Sequence, residues 1–137
     1  MKYIIPGDPI PLARARIGYG YRKMYDSQRQ AKTHSAIYLQ SQQGPEPPLS
    51  GPLHLDVTFF LKMPKLSPRK RKERNYIYHY YRPDLSNLIK FVEDVANKLL
   101  FLDDAQICCI TSRKVYHEEP RTEFEILKID TKEKFST

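Results

Sequence analysis

Three aspartates stand at the two ends of one helical stretch. Asp84 opens it in "RPDLSNLIK", and Asp103 and Asp104 follow it in "LDDAQI". Just upstream, the segment 62–82 holds Lys62, Lys65, Arg69, Lys70, Arg71, Lys72, Arg74 and Arg82, interleaved near its end with Tyr76, Tyr78, His79, Tyr80 and Tyr81. Hard cations such as Mg²⁺ take oxygen ligands, and two or three carboxylates that meet can hold one. Under a phosphate-binding surface such an ion orients a water, stabilises charge on the phosphoryl oxygens and assists the leaving 3′-oxygen. Lys90, about two turns along from Asp84, can contact the phosphate or the charge that develops on it. The cations of 62–82 attract phosphates, and tyrosines stack on exposed bases or sugars, a combination expected of a nucleic-acid surface.

Each residue also has a plainer role open to it. Asp84 can cap the helix through the amide of Asn87 or its neighbour, an interaction worth about 1 kcal/mol, and Ser86 can cap instead. Asp103 and Asp104 fit a polar turn, Lys90 an exposed helix position, and the basic run a solvated loop. Loops this long inside small domains are usually functional or disordered, which favours the nucleic-acid reading of 64–82. With a helix of about 17 residues between them, Asp84 and Asp104 meet only if the chain folds back across a sheet, and spacing alone does not show that it does.

The elements that would position these groups follow from periodicity. A chain of 137 residues is expected to form one domain with a real core. Residues 2–6 read as a first strand, and 12–25, with Arg14, Arg16, Arg22 and Lys23 among glycines and tyrosines, as a mobile basic loop. A modestly amphipathic helix is predicted from Asp26 and Ser27 to about Gln43. Leu53, Leu55, Val57, Phe59 and Leu61 alternate with polar or exposed positions, the mark of a strand with one buried face. Apolar residues at 85, 88, 92, 95, 96 and 99 predict a helix from Asp84 to about Leu100. Residues 106–116 and 121–129 read as two strands joined by a hairpin at "HEEPR". The expected order is βαβαββ: an α+β fold with a small mixed sheet, two main helices and a single domain over 1–137, carrying a mobile basic loop at about 64–82.

Composition narrows the function classes. The 23 Lys and Arg against 16 Asp and Glu leave a net charge of +7, which favours an anionic partner such as nucleic acid. Hydrophobic residues at 40% exclude wholesale disorder. Cys108 and Cys109 are adjacent, badly placed to bridge each other, and point to a reducing compartment. The short apolar run at the start fits no signal sequence, and no stretch approaches the ~20 apolar residues of a membrane span, so a cytoplasmic protein without a membrane partner is expected. His34, His54, His79 and His117 are scattered without zinc-ligand spacing. No phosphate-cradling glycine loop or nucleophile elbow is present, which argues against a nucleotide-driven motor or a serine hydrolase.

The stretch "RPDLSNLIKFVEDVANKLLFLDDAQI" resembles the signature of the RusA-type Holliday-junction resolvases, small phage and prophage endonucleases. That pattern is a basic residue, an optional proline, D-x-D-N-L-x-K, a helix containing an aspartate, and D-D-x-Q. Asp84, Asn87, Leu88, Lys90, Asp94, Asp103, Asp104 and Gln106 fit it, and "GDPIPLARARIGYGYRKMYDSQRQAKTH" resembles the family's opening. The resemblance implies a homodimer with two carboxylate sites, each making a Mg²⁺-dependent nick in one of two opposed strands of a four-way DNA junction. It carries metal-ligand and catalytic roles to Asp84 and Asp104, and a catalytic or phosphate-contacting role to Lys90, with Asp103 a further candidate ligand. Arg14, Arg16, Arg69, Lys70, Arg71, Lys72, Arg74 and Arg82 are the candidate DNA contacts. One position departs: Ser86 stands where the family pattern has its second aspartate, and a hydroxyl binds a hard cation more weakly than a carboxylate. The site then works with Asp84, Asp104 and another acid such as Asp103 or Asp56, works slowly, or binds junctions without cutting them. The alternative to a nuclease is a non-catalytic DNA- or RNA-binding protein that uses the 64–82 loop.

Overall fold

Alternation over 53–62 builds the strand around which the other elements are arranged. The computed structural model describes residues 1–13, 16–17, 24–25, 27–65, 69 and 77–130. In chain order its elements are β1 (Lys2–Pro6), β2 (Arg16–Ile17), β3 (Met24–Tyr25), α1 (Arg29–Gln43), β4 (Leu53–Lys62), α2 (Leu85–Ala96), a 3-10 turn (Asp104–Gln106), β5 (Ile107–His117) and β6 (Arg121–Lys128). The four-stranded sheet has the order β1-β6-β4-β5. Strand β4 pairs parallel with β5 and antiparallel with β6, and β6 pairs antiparallel with β1. This is the expected α+β class with a mixed sheet and two main helices.

Leu53, Leu55, Val57, Phe59 and Leu61 are buried with Leu39 of α1 and with Leu88, Phe91, Val92 and Val95 of α2. Burial of such side chains, at roughly 25 cal/mol per Å² of apolar surface, holds α2 to the sheet. The opposite face of β4 is polar and half-buried. There Asp56 meets Arg113 at 3.3 Å, on the side away from the helices.

Three details differ from the reading of the sequence. The last two strands do not form a hairpin: β4 lies between them, and residues 118–120 cross its end. The β4-α2-β5 connection sets β5 parallel beside β4, leaving the other edge of β4 for β6, and a short turn reaches across two strand spacings of ~4.8 Å. The turn is closed by His117 Nδ1, which accepts the Glu119 amide at 3.0 Å, and by Arg121, which donates to the Glu119 carbonyl at 2.9 Å. Secondly, the 12–25 segment contains a two-stranded ribbon, in which Arg16 pairs with Tyr25 and Ile17 with Met24. Thirdly, α2 stops at Ala96. Asn97 is extended and Lys98 takes φ 67°, so the chain has already turned when Leu100 and Phe101 enter the core. The apolar residue at 99 had prolonged the helical period past the true end.

Candidate active site

Asp84 occupies the N-cap position of α2, with φ −67° and ψ 137°, yet its side chain makes no capping hydrogen bond. Only its carbonyl serves the helix, accepting the amides of Asn87 at 3.1 Å and Leu88 at 3.2 Å. The exposed carboxylate lines an open cleft of about 480 Å³ together with Pro11, Leu12, Arg82, Pro83 and Asn87. The far wall of that cleft is fastened: the Leu12 amide donates to the Asn87 carbonyl at 2.9 Å, and Gln28 bonds both the Pro11 carbonyl and the Ala13 amide at 2.8 Å. A carboxylate and a guanidinium thus share one entry, as a phosphate-binding cation site requires.

A cation absent from the sequence reading completes this end. Lys114 of β5 donates to the carbonyls of Tyr81 and Pro83, both at 2.7 Å. Desolvation pulls its pKa below the ordinary lysine value, opposed by the nearby Asp84 charge. No local signal could have identified it, because its partners lie more than 30 positions away and nothing in "TSRKVYH" distinguishes this lysine from a solvated one.

Asp103 and Asp104 form the other half of the candidate site. Asp103 begins the 3-10 turn in a capping box, its Oδ1 accepting the Ala105 amide at 2.9 Å. Gln106 accepts the amides of Leu102 and Asp103, both at 2.9 Å, and donates to the carbonyls of Leu49 and Gly51. The D-D-x-Q spacing therefore has a structural reason: its first and last residues clamp a turn that presents Asp104. The Ala105 amide first, and then the neighbouring Asp104 carboxyl, hold the Asp103 carboxyl below its ordinary range. Asp104 is pushed up by the Asp103 carboxyl first, then by slight desolvation and by the charge of Asp94. Its surroundings include the half-buried Glu93, whose pKa is raised by burial and then by Asp104 and Asp94, against a lowering contribution from Lys90. Asp94 is partnered by Lys32 of α1 at 2.9 Å.

Arg82 and Asp84 line one cleft; Asp104 lies in a different environment, with Asp103, Asp94 and Glu93. Glu93, beside Asp104, is nine positions along α2 from Asp84, about 14 Å of helix axis. Among the described residues, no three His, Cys, Asp or Glu side chains converge as a metal-binding group. Ser86 and Lys90 are exposed on α2. Of the candidate DNA contacts, Arg69 and Arg82 are exposed. Arg14, Lys70, Arg71, Lys72, Arg74 and the side chain of Arg16 lie outside the described residues, as does most of the 64–82 loop.

The end of that loop is anchored to β5. The His79 amide donates to the Lys114 carbonyl, and the Tyr116 amide to the Ile77 carbonyl, both at 3.0 Å. Tyr78, Tyr80 and Tyr81 remain exposed, and the last two stack with ring centroids 4.6 Å apart. The His79 ring packs on Tyr116, and its pKa is lowered by burial and by Lys114. An aromatic surface therefore borders the Asp84 cleft.

A family model described as "Endodeoxyribonuclease RusA" matches residues 6–127. The chain belongs to the RusA endodeoxyribonuclease family. The match runs from the end of β1 almost to the end of β6 and takes in the cleft, the 3-10 turn and Lys114. A Bacillus subtilis (strain 168) relative, "Uncharacterized protein YqaN", is 32% identical over 94% of this chain and 96% of its own length. The "Crossover junction endodeoxyribonuclease rusA" of Lactococcus phage r1t is 39% identical over 57% of this chain and 56% of its own. Among the described residues of this RusA-family chain, no helix is long and apolar enough to cross a membrane.

Proposed function

We propose that this RusA-family chain is a homodimeric, Mg²⁺-dependent endonuclease that resolves four-way DNA junctions by paired nicks. The observation that carries the reading is the Asp84 carboxylate, which stands at a helix N-cap without capping and lines a cleft with Arg82. The donor set suits a hard cation. Asp84 offers an exposed carboxylate, and at the other end Asp104 and Glu93 are held above their ordinary range in part by like charge, a repulsion that a divalent cation relieves. Mg²⁺ bound by Asp84 and Asp104 would supply charge stabilisation at the phosphoryl oxygens and an activated water. Asp103, engaged with Ala105, supports the turn and has one oxygen left for ligation. Arg82 binds the phosphate beside Asp84, and Lys90, on the same helix, meets negative charge arriving from solvent.

Because the two acid groups stand apart within a protomer, the second copy has a chemical task. The outer edge of β5 is unpaired over 107–113 among the described residues, with Ile110 at 45% exposure. A bare strand edge without proline or an exposed lysine is a pairing surface. Antiparallel pairing of two β5 edges would carry the Asp84 end of one copy toward the Asp104 end of the other. Twofold symmetry then yields two such sites, the number that paired nicks need. Ser86, in the place of a family carboxylate, favours the second reading, junction binding without cleavage. A synthetic four-way junction incubated with the protein, with and without Mg²⁺, separates them: symmetrical nicks that require Mg²⁺ support the nuclease, and binding without strand scission overturns it.

A further inference from the structure

Lys114 is the residue that fixes the approach to Asp84. Its ammonium carries three N–H donors, and two of them are committed to the carbonyls of Tyr81 and Pro83, which flank Arg82 and directly precede Asp84. Its own carbonyl accepts the His79 amide at 3.0 Å. One residue of the sheet therefore grips the incoming segment at 79, 81 and 83. The helix does not need this grip in order to form, since Leu88, Phe91, Val92, Val95 and Ala96 bury its inner face and the Asp84 carbonyl already serves its first amides. The grip instead bears on the direction in which Asp84 and Arg82 enter the cleft, because the Asp84 carboxylate forgoes the capping bond that would normally hold it.

We infer that Lys114 is a positioning residue of the nuclease, clamping residues 81–83 so that Asp84 and Arg82 face the cleft together. The inference rests on the proposed role of Asp84. Misplacing a reacting group by about 1 Å can cost about 10²-fold in rate, so a clamp of this kind matters to turnover well beyond its share of stability.

The test uses the full-length chain with Lys114→Met, which keeps the length of the side chain and removes its donors. Single-turnover cleavage of a four-way junction is expected to fall about 10²-fold, with the half-saturating Mg²⁺ concentration raised. Junction affinity measured without metal should be unchanged. Hydrogen exchange should quicken in peptides covering 80–86 and stay at wild-type rates over 88–96, an effect that reports the clamp independently of activity. Lys114→Arg, which keeps the charge and can still donate, should retain most of the rate; if Lys114→Met does not fold, Lys114→Ala, which also has no donor, takes its place. Wild-type cleavage across the Mg²⁺ titration overturns the inference. So does unchanged exchange over 80–86, or a rate loss matched by an equal loss of metal-free affinity, which would make Lys114 a phosphate contact. Asp84→Asn is run alongside: an inactive Asp84→Asn beside an unaffected Lys114→Met removes this inference alone, whereas normal cleavage by Asp84→Asn removes the role of Asp84 and this inference with it.

Discussion

The two ends of α2 hold acids in opposite company. At its start, Asp84 is a single carboxylate among cations, with Arg82 in the same cleft and Lys114 gripping the residues before it. Beyond its C-terminal half, Asp104 lies among acids, with Asp103, Asp94 and Glu93 all bearing on the local charge. The first environment attracts a phosphate and leaves a cation half-liganded; the second attracts a cation and repels a phosphate. On the proposed reading, neither is a phosphodiesterase site alone. In the proposed dimer, pairing of two β5 edges would bring the ends together on one surface that takes both.

The largest effect expected from this contrast is complementation. Asp84→Asn keeps a good N-cap residue and removes the charge, so it should fold, bind junctions and lose about 10²-fold or more in cleavage, as when one stabilising group is removed from an active site. Asp104→Asn should do the same. If each site draws one acid from each copy, a dimer of one Asp84→Asn and one Asp104→Asn chain has one site lacking both acids and one site intact. Such mixed dimers, isolated through two different tags, should nick a single strand per junction at a rate within about tenfold of wild type. If both acids act within one protomer, every site in the mixed dimer is damaged, and inactive mixed dimers would end the shared-site account.

A smaller effect should sharpen the Asp84 end. Ser86 lies in the first turn of α2, exposed and two positions from Asp84. Ser86→Asp adds a carboxylate beside a positive helix terminus, where acids are favoured. Cleavage at low Mg²⁺ is expected to rise severalfold, with little change at saturation. A rate equal to or below wild type at every Mg²⁺ concentration would mean that the coordination shell is already full. Attention would then move to Glu93 and Asp103, because Asp56 is paired with Arg113 on the face away from the helices.

What was legible in the sequence was whatever is written locally. The alternation of 53–61 gave β4 its buried face, and the period of 85–96 gave α2 its inner stripe, because each pattern reflects one element against one core. Asp84, Asp103, Asp104 and Gln106 were visible as a motif, but their division of labour was not. An aspartate before a helix ordinarily caps it, and only the side-chain hydrogen bonds of the folded chain reveal that Asp84 does not while Asp103 does. The hairpin expectation failed because turn residues at 118–120 announce a reversal without saying which strand lies alongside. Lys114 and Lys32 were missed for the same reason: the first meets its partners across more than 30 positions and the second pairs with Asp94 across 62.

The smallest expected effect concerns charge at the Asp104 end, and its sign follows from linkage. The pKa of Glu93 is raised in the folded chain by burial first, and then by Asp104 and Asp94. A carboxyl whose folded pKa exceeds its unfolded value binds protons more tightly when folded, so its contribution is fully present below the unfolded value of about 4.3 and is lost as the pH rises through the folded one. At neutral pH, ionised Glu93 therefore burdens the fold. Glu93→Gln, which stays neutral throughout, should melt slightly higher than wild type at pH 7, and the difference should vanish as the pH falls below the ordinary carboxyl range. Mg²⁺ without DNA should narrow the same gap at pH 7 by neutralising the acids around Asp104 in the wild type. Thermal melts of both proteins from pH 3.5 to 8, with and without Mg²⁺, provide the measurement. A gap that ignores pH would show that these acids do not feel one another, and the electrostatic contrast between the two ends of α2 would lose its basis.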